Sequence, residues 1–154
     1  MKSIAIDTSA LVSLGHTELI EEILEIYDVV ISNGVLDELE NIGRREDDDA
    51  KAAKKWLKLS SQLKVRDVKR KDAAEDELFD ICKDENIVLF TDDIDAARRF
   101  EGKIDCYFSV HMIYLLFRKD IISENRALVA IETMKTNRDW RQNIIVATAK
   151  TLFL

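Results

Sequence analysis

Carboxylates recur in this chain where short apolar runs typical of β-strands end. Asp7 directly follows the first run, and Asp93 follows the fourth. Glu38 and Glu75 come a few residues after the second and third runs. Because the loops that follow parallel strands share one edge of a sheet, where open α/β proteins bind ligands, we expect these four side chains to converge. Several carboxylates in one place are costly to hold unless a cation compensates their charge.

Helical spacing supports the choice of these carboxylates. Glu38 lies three residues after Val35 on the apolar stripe of the helix expected there, Glu75 begins the stripe of the next helix, and Asp93 stands three before Ala96. Each is therefore expected in or near the first turn of a helix, on the side that faces the sheet. Acidic residues also favour helix N-termini as caps, so each one alone could be a cap. Four carboxylates at successive strand ends favour a shared site over four separate caps.

The residue types in this cluster indicate the chemistry. Carboxylate-rich sites select the hard cations Mg²⁺ or Mn²⁺ over zinc. Such a site suits phosphodiester hydrolysis, because the metal activates a water molecule and stabilises charge on the leaving oxygen. The two histidines, His16 and His111, are isolated in the sequence, and no glycine-rich phosphate loop is present. A receiver-like phosphoacceptor domain would need a lysine at a strand end, for which the sequence offers no convincing candidate.

The elements that must position these residues alternate between strand and helix. This alternation, with short apolar strands, predicts a three-layer α/β/α sandwich around a central parallel sheet of about five strands. Strands are predicted at residues 2–6, 28–32, 63–68, 87–90 and 104–108. Helices are predicted at 9–14, 17–27, about 34–45, from the 46–49 turn to 60, 73–84, 94–100, 110–118, about 124–135 after an N-cap at Ser123, and 140–153.

Length and composition set broader limits. With 154 residues, the chain is expected to form a single domain, 1–154, with a helical C-terminal part from about residue 110. The net charge of −7 argues mildly against a protein that coats nucleic acid but does not exclude a nuclease. Cys82 and Cys106 lie in apolar runs and are interpreted as free thiols. With no signal peptide and no membrane-spanning run, we expect a cytoplasmic protein.

Basic residues concentrate between Lys51 and Lys71. Lys51, Lys54, Lys55 and Lys58 share one face of a predicted amphipathic helix. The simpler interpretation is a solvated face, and the functional one is a surface that contacts phosphates beside an active site.

Four motifs of this chain, at residues 6–11, 29–39, 73–78 and 88–97, together resemble the PIN domain family, a metal-dependent ribonuclease fold that includes toxins of prokaryotic toxin–antitoxin pairs. The motif I-D-T-S-A-L at residues 6–11 resembles the opening strand with its first acidic residue. The motif V-V-I-S-N-G-V-L-D-E-L at 29–39 resembles the second block, and V-L-F-T-D-D-I-D-A-A at 88–97 the strand-four block. A-A-E-D-E-L at 73–78 resembles the block of a subgroup that has glutamate at the third acidic position.

The resemblance implies an RNA endonuclease that uses Mg²⁺ or Mn²⁺, specific for single strands or for a structure. Family members commonly form homodimers, and the toxins pair with an antitoxin protein. The alternative is a catalytically weak PIN-like scaffold that binds RNA or a protein partner. The implied catalytic and metal-binding carboxylates are Asp7, Glu38, Glu75 and Asp93, with Asp92 as a further metal ligand and Thr8, Ser9, Asp76 and Thr91 as supporting residues.

Overall fold

The computed structural model of the chain describes residues 1–140 and 143–153. Its sheet has five strands, all parallel to their neighbours. The strands are β1 (Lys2–Ile6), β2 (Tyr27–Ser32), β3 (Lys64–Arg66), β4 (Leu89–Phe90) and β5 (Cys106–Tyr107).

The strand order β3-β2-β1-β4-β5 places β1 at the centre of the sheet. From β1 the chain first builds one half of the sheet, through β2 and β3, and then crosses back to build the other half. The order therefore reverses between β1 and β4, and such a switch point opens a crevice at the carboxyl ends of the strands. Ile6 pairs with Phe90 in the last row of the β1–β4 ladder, so Asp7 and Thr91 follow at the mouth of that crevice.

Helices connect consecutive strands, and further helices come after the last strand in the chain. The helices in the described ranges are α1 (Thr8–Gly15), α2 (Ile20–Ile26), α3 (Asn33–Gly43), α4 (Asp48–Lys58), α5 (Ala74–Glu85), α6 (Ile94–Phe100), α7 (Ser109–Arg118), α8 (Glu124–Asn137) and α9 (Ile144–Leu152). None of them is both long and apolar enough to cross a bilayer.

The central strand explains why the sheet must be covered on both faces. Ile4, Ala5 and Ile6 are all buried, so neither face of this C-terminal part of β1 contacts water. Continuous apolar runs of this kind are typical of parallel sheets between two helical layers. One core cluster joins these residues to Met112 of α7 and Ala127 of α8. The predicted α/β/α sandwich with a five-stranded parallel sheet is thus confirmed.

The outer strands are shorter than predicted. Apolar residues continue beyond the hydrogen-bonded ladder, and hydrophobic pattern alone does not mark where pairing stops. The last helix was predicted from residue 140, whereas α9 begins at Ile144; residues 141 and 142 lie outside the described part of the chain. Before that gap, Asp139 has a left-handed φ of 54°, and the Trp140 amide returns to the Lys135 carbonyl at 2.9 Å. This turn ends α8 before Trp140.

Helix α1, which begins at the crevice, is fixed by close packing on α4. The Trp56 indole N–H donates to the Leu11 carbonyl at 2.6 Å. A Cβ added to Gly15 would lie 2.6 Å from the carbonyl oxygen of Ala52, so the two helices touch backbone to backbone at this point. Only glycine permits this approach, which sets the position of α1 and hence of the residues at its first turn.

Candidate active site

A pocket of about 230 Å³ opens at the carboxyl ends of β1 and β4. We call it the acidic pocket. Its lining consists of Asp7, Thr8, Ser9, Glu38, Glu75 and Asp93. These residues come from the first turn of α1, from α3, from the start of α5 and from the N-terminus of α6. The four carboxylates selected from the sequence therefore lie around one pocket.

Asp7 is the buried member of the pocket, with 4% of its surface exposed. Its Oδ1 accepts hydrogen bonds from the Ser9 hydroxyl at 2.7 Å and from the Ala10 amide at 3.0 Å, and the latter bond caps α1. Its Oδ2 accepts a short hydrogen bond from the Thr91 hydroxyl. Both carboxylate oxygens are thus fixed in direction before any ligand arrives.

The two hydroxyls also tie Asp7 to the loop after β4. The Ser9 Oγ accepts from the Asp92 amide at 2.9 Å, and the Thr91 Oγ1 accepts from the Asp93 amide at 3.1 Å. Each hydroxyl accepts from a backbone N–H, and its own proton is directed at Asp7. Ser9 and Thr91 thus hold Asp7 and the loop after β4 in a fixed relation.

Burial has the largest effect on the pKa of Asp7. Removal from water raises the pKa of Asp7 from its ordinary 3.8 to about 7, although the bonds from Thr91, Ala10 and Ser9 oppose the rise. Near neutral pH the carboxyl is therefore poised between two states. A cation in the pocket would favour the ionised state, because an opposite charge nearby lowers the pKa of an acid.

Glu38 and Asp93 present their carboxylates to the pocket in different ways. Glu38 is half-buried on α3 and makes no hydrogen bond or ion pair with any residue in the described ranges. Asp93 is the N-cap of α6, with Oδ1 accepting from the Ala96 amide at 3.0 Å. Asp93 is thus both a cap and a pocket residue, so the two interpretations weighed from the sequence are compatible.

Glu75 lines the pocket but is already paired. Its Oε1 lies 3.3 Å from Nη2 of Arg99, whose Nη1 lies 3.0 Å from Oδ1 of Asp76. Asp76 does not line the pocket. The third acidic position therefore consists of two neighbouring carboxylates that share one guanidinium.

Asp92, included among the metal ligands, is not brought into the acidic pocket. Its Oδ1 accepts from the Ser109 amide at 2.8 Å and its Oδ2 from the Ser109 hydroxyl at 2.6 Å. Burial raises the pKa of Asp92, and these two bonds oppose the rise. In the structure, Asp92 fastens the start of α7 to the loop after β4.

The buried stripe of α5 differs from the predicted one. Glu75 was expected to begin it, but its side chain is 23% exposed, whereas Glu77 is only 1% exposed. Glu77 accepts from the Gly34 amide at 3.1 Å and from the Lys71 amide at 3.2 Å. The Gly34 amide lies in the first turn of α3, where N–H groups lack helical partners. Spacing from Ala74 would have identified Glu77, since it lies three residues further along the helix.

Glu77→Gln is expected to lower the free energy of unfolding by about 1–3 kcal/mol, because an amide NH₂ would face one of the two backbone donors and leave it unsatisfied. Chemical denaturation measures this change. Asp84→Asn, an exposed substitution on the same helix, is the control and should change stability little. Equal stability of the Glu77 and Asp84 variants would contradict the anchoring role.

The acidic pocket suits a hard cation by the type of its donors. Besides four carboxylates it contains the Thr8 Oγ1, a buried oxygen without a hydrogen-bond partner among the described residues. In residues 1–140 and 143–153, no three His, Cys, Asp or Glu side chains lie close enough to hold a metal together. A cation here would therefore rely on one or two carboxylates and retain water molecules, as Mg²⁺ commonly does in proteins.

The lysines of α4 line the solvent side of that helix. Lys51, Lys54 and Lys58 are exposed, while Ala53 and Trp56 on the opposite side are buried. Lys51 lies 3.8 Å from Asp48. None of the α4 lysines lines the acidic pocket, so its immediate lining is entirely acidic and polar.

Comparison with known proteins agrees with the fold described above. A family model described as a PIN-like domain matches residues 4–114 of the chain. No curated protein matched the chain. One similar solved structure is a domain of a functionally unknown protein from Methanocaldococcus jannaschii DSM 2661, with 24% identity and a TM-score of 0.50, covering 70% of this chain and 91% of that one. That likeness concerns the fold alone. On the family match, this chain belongs to the PIN-like domain family.

Proposed function

We propose that this protein is an endoribonuclease that hydrolyses RNA phosphodiester bonds with Mg²⁺ or Mn²⁺ in the acidic pocket. The observation that carries the proposal is the convergence of Asp7, Glu38, Glu75 and Asp93 around one pocket at the switch point of the sheet. Membership of the PIN-like family supports it, because PIN domains are generally nucleases.

The pocket residues would have different roles in metal binding and proton transfer, according to their surroundings. Asp7 is oriented by Ser9 and Thr91 and would be the central metal ligand. Glu38 and Asp93 would complete the protein's share of the ligands. Glu38, which makes no hydrogen bond or ion pair with the described residues, would also accept a proton from the attacking water. A bound cation would activate water and stabilise charge on the leaving oxygen.

The finer biological assignments are proposals that rest on the family resemblance. They are a toxin of a toxin–antitoxin pair within the subgroup that has glutamate at the third position, an antitoxin protein as partner, a homodimer and a cytoplasmic location. The whole chain, 1–154, would act as one domain. A small antitoxin-like reading frame beside the gene would favour the toxin role over RNA processing.

Replacing Glu38 by glutamine tests the proposed site. We expect wild-type protein to cleave labelled RNA with Mn²⁺ and to lose cleavage with EDTA. Glu38→Gln should slow cleavage roughly 10²-fold or more, because it removes a charged group that acts on the reacting atoms. Initial rates on end-labelled RNA measure the effect.

Glu40→Gln provides the matched control, since Glu40 is exposed on the same helix and does not line the pocket. Its rate should stay close to that of wild type. Cleavage that persists in EDTA, or equal rates for the two variants, would count against the proposed active site.

A catalytically weak scaffold that binds RNA or a protein is the second candidate. The pairing of Glu75 with Arg99 favours it, together with the lack of a preassembled group of three ligands in the described ranges. Calorimetry separates the two functions: binding of Mn²⁺ that depends on Asp7 supports the nuclease, and no binding at millimolar Mn²⁺ supports the scaffold.

A further inference from the structure

Arg99 reaches from the last turn of α6 to the first turn of α5. Its guanidinium contacts Asp76 at 3.0 Å and Glu75 at 3.3 Å. Its Cζ also lies 5.0 Å from the centre of the Phe100 ring, a distance typical of cation–π contact. The Phe100 ring in turn stacks on Phe79 of α5 at 4.8 Å. These contacts hold one positive charge beside the acidic pocket.

Glu75 is distinct from the other pocket carboxylates in the described part of the chain. Among the described residues, Asp7 and Asp93 accept hydrogen bonds from neutral groups, and Glu38 makes no hydrogen bond or ion pair. Glu75 is the one of these four carboxylates that forms an ion pair with a cationic side chain in the described ranges. The charge of Arg99 also acts on Asp93, without an ion pair. A guanidinium and a divalent cation would therefore compete for the same carboxylate.

We propose that Arg99 is a positioning residue: a built-in counter-ion that draws Glu75 away from the metal position and releases it when a divalent cation binds. This inference rests on the proposed metal-dependent function. It accounts for the observation that no three acidic side chains within residues 1–140 and 143–153 are yet close enough to hold a metal together. In the cation-free protein, Arg99 offsets part of the repulsion among the pocket carboxylates.

The exposure of the pair makes such an exchange feasible. The Arg99 side chain is 51% exposed, so solvent screens its attraction to Glu75. Exposed ion pairs are weak, and competition with one changes the affinity of a ligand by only about two- to five-fold. Arg99 would thus lower metal affinity without preventing metal binding.

Calorimetric titration of the full-length protein with Mn²⁺ tests the inference. We expect Arg99→Gln to bind Mn²⁺ about two- to five-fold more tightly than wild type at low ionic strength. The difference should shrink at about 0.3 M salt, because salt screens exposed charges. Arg99→Lys retains the charge but loses the two-pronged geometry, so it should lie between wild type and Arg99→Gln.

Arg98→Gln is the matched control. Arg98 precedes Arg99 on the same helix, is exposed and makes no ion pair with the described residues. Removing it reports the general effect of one less positive charge near the pocket. The specific effect of Arg99 is the additional gain in Mn²⁺ affinity beyond that of Arg98→Gln.

A double-mutant cycle shows whether Arg99 acts through Glu75. In a Glu75→Gln background, Arg99→Gln should raise Mn²⁺ affinity no more than Arg98→Gln does in the same background, a result that a purely structural role would not produce. Persistence of the gain without Glu75, or equal affinities for the Arg99→Gln and Arg98→Gln proteins, would overturn the inference while leaving the proposed nuclease intact. Wild-type protein that binds no Mn²⁺ would overturn both.

Discussion

Asp7→Asn is expected to reduce metal-dependent RNA cleavage roughly 10²- to 10⁴-fold, the loss commonly seen when a group acting on the reacting atoms is removed. Asparagine preserves the shape of the side chain but loses the negative charge. It also turns an NH₂ group towards Ser9 or Thr91, each of which directs its proton at Asp7 in the wild type. Single-turnover cleavage of labelled RNA in saturating Mn²⁺ measures the chemical step.

Asp28→Asn controls for the loss of a carboxylate on the sheet itself. Asp28 lies at the beginning of β2, whereas the acidic pocket lies at the carboxyl ends of the strands. This variant should cleave at nearly the wild-type rate. If the Asp7 and Asp28 variants were equally active, the acidic pocket would not be the catalytic centre.

Asp7 could be predicted from sequence because its position depends on local pattern. The apolar residues from Ile4 to Ile6 identify a buried strand, and the topology rule for parallel sheets places the following residue at the ligand-binding edge. Glu38 and Asp93 followed from the same reasoning applied to the helices. Strand ends and helix starts are therefore the part of the candidate site that local pattern identifies.

Contacts between distant elements could not be predicted in this way. The Arg99–Glu75 pair joins two helices, and the Asp92–Ser109 bonds join the loop after β4 to α7. Hydrophobic periodicity reports which face of a helix is buried but not which side chain lies opposite. Glu77 was missed for a different reason, since the buried stripe of α5 was placed from Glu75 rather than from Ala74.

The stability of the metal-free protein should depend on pH through Asp7. Its pKa is raised from 3.8 to about 7 in the folded state, so between these values the folded chain retains a proton that the unfolded chain has lost. The contribution of Asp7 to stability is therefore fully present below about pH 4 and is lost as the pH rises through 7. At 1.36 kcal/mol per pKa unit, the full loss amounts to about 4 kcal/mol.

Asp7→Asn should abolish this dependence, since asparagine does not titrate. Urea denaturation in EDTA gives the free energy of unfolding of both proteins at pH 4.5 and at pH 8. The value for the variant minus that for wild type is expected to be about 2–4 kcal/mol larger at pH 8 than at pH 4.5. Comparing the two pH values removes any destabilisation by the asparagine side chain that does not depend on pH. Adding Mn²⁺ at pH 8 should then stabilise wild type but not the variant, because binding to the folded state alone raises its stability. Parallel pH profiles for the two proteins would show that Asp7 is already ionised in the folded state, and the pocket would then tolerate its charge without a cation.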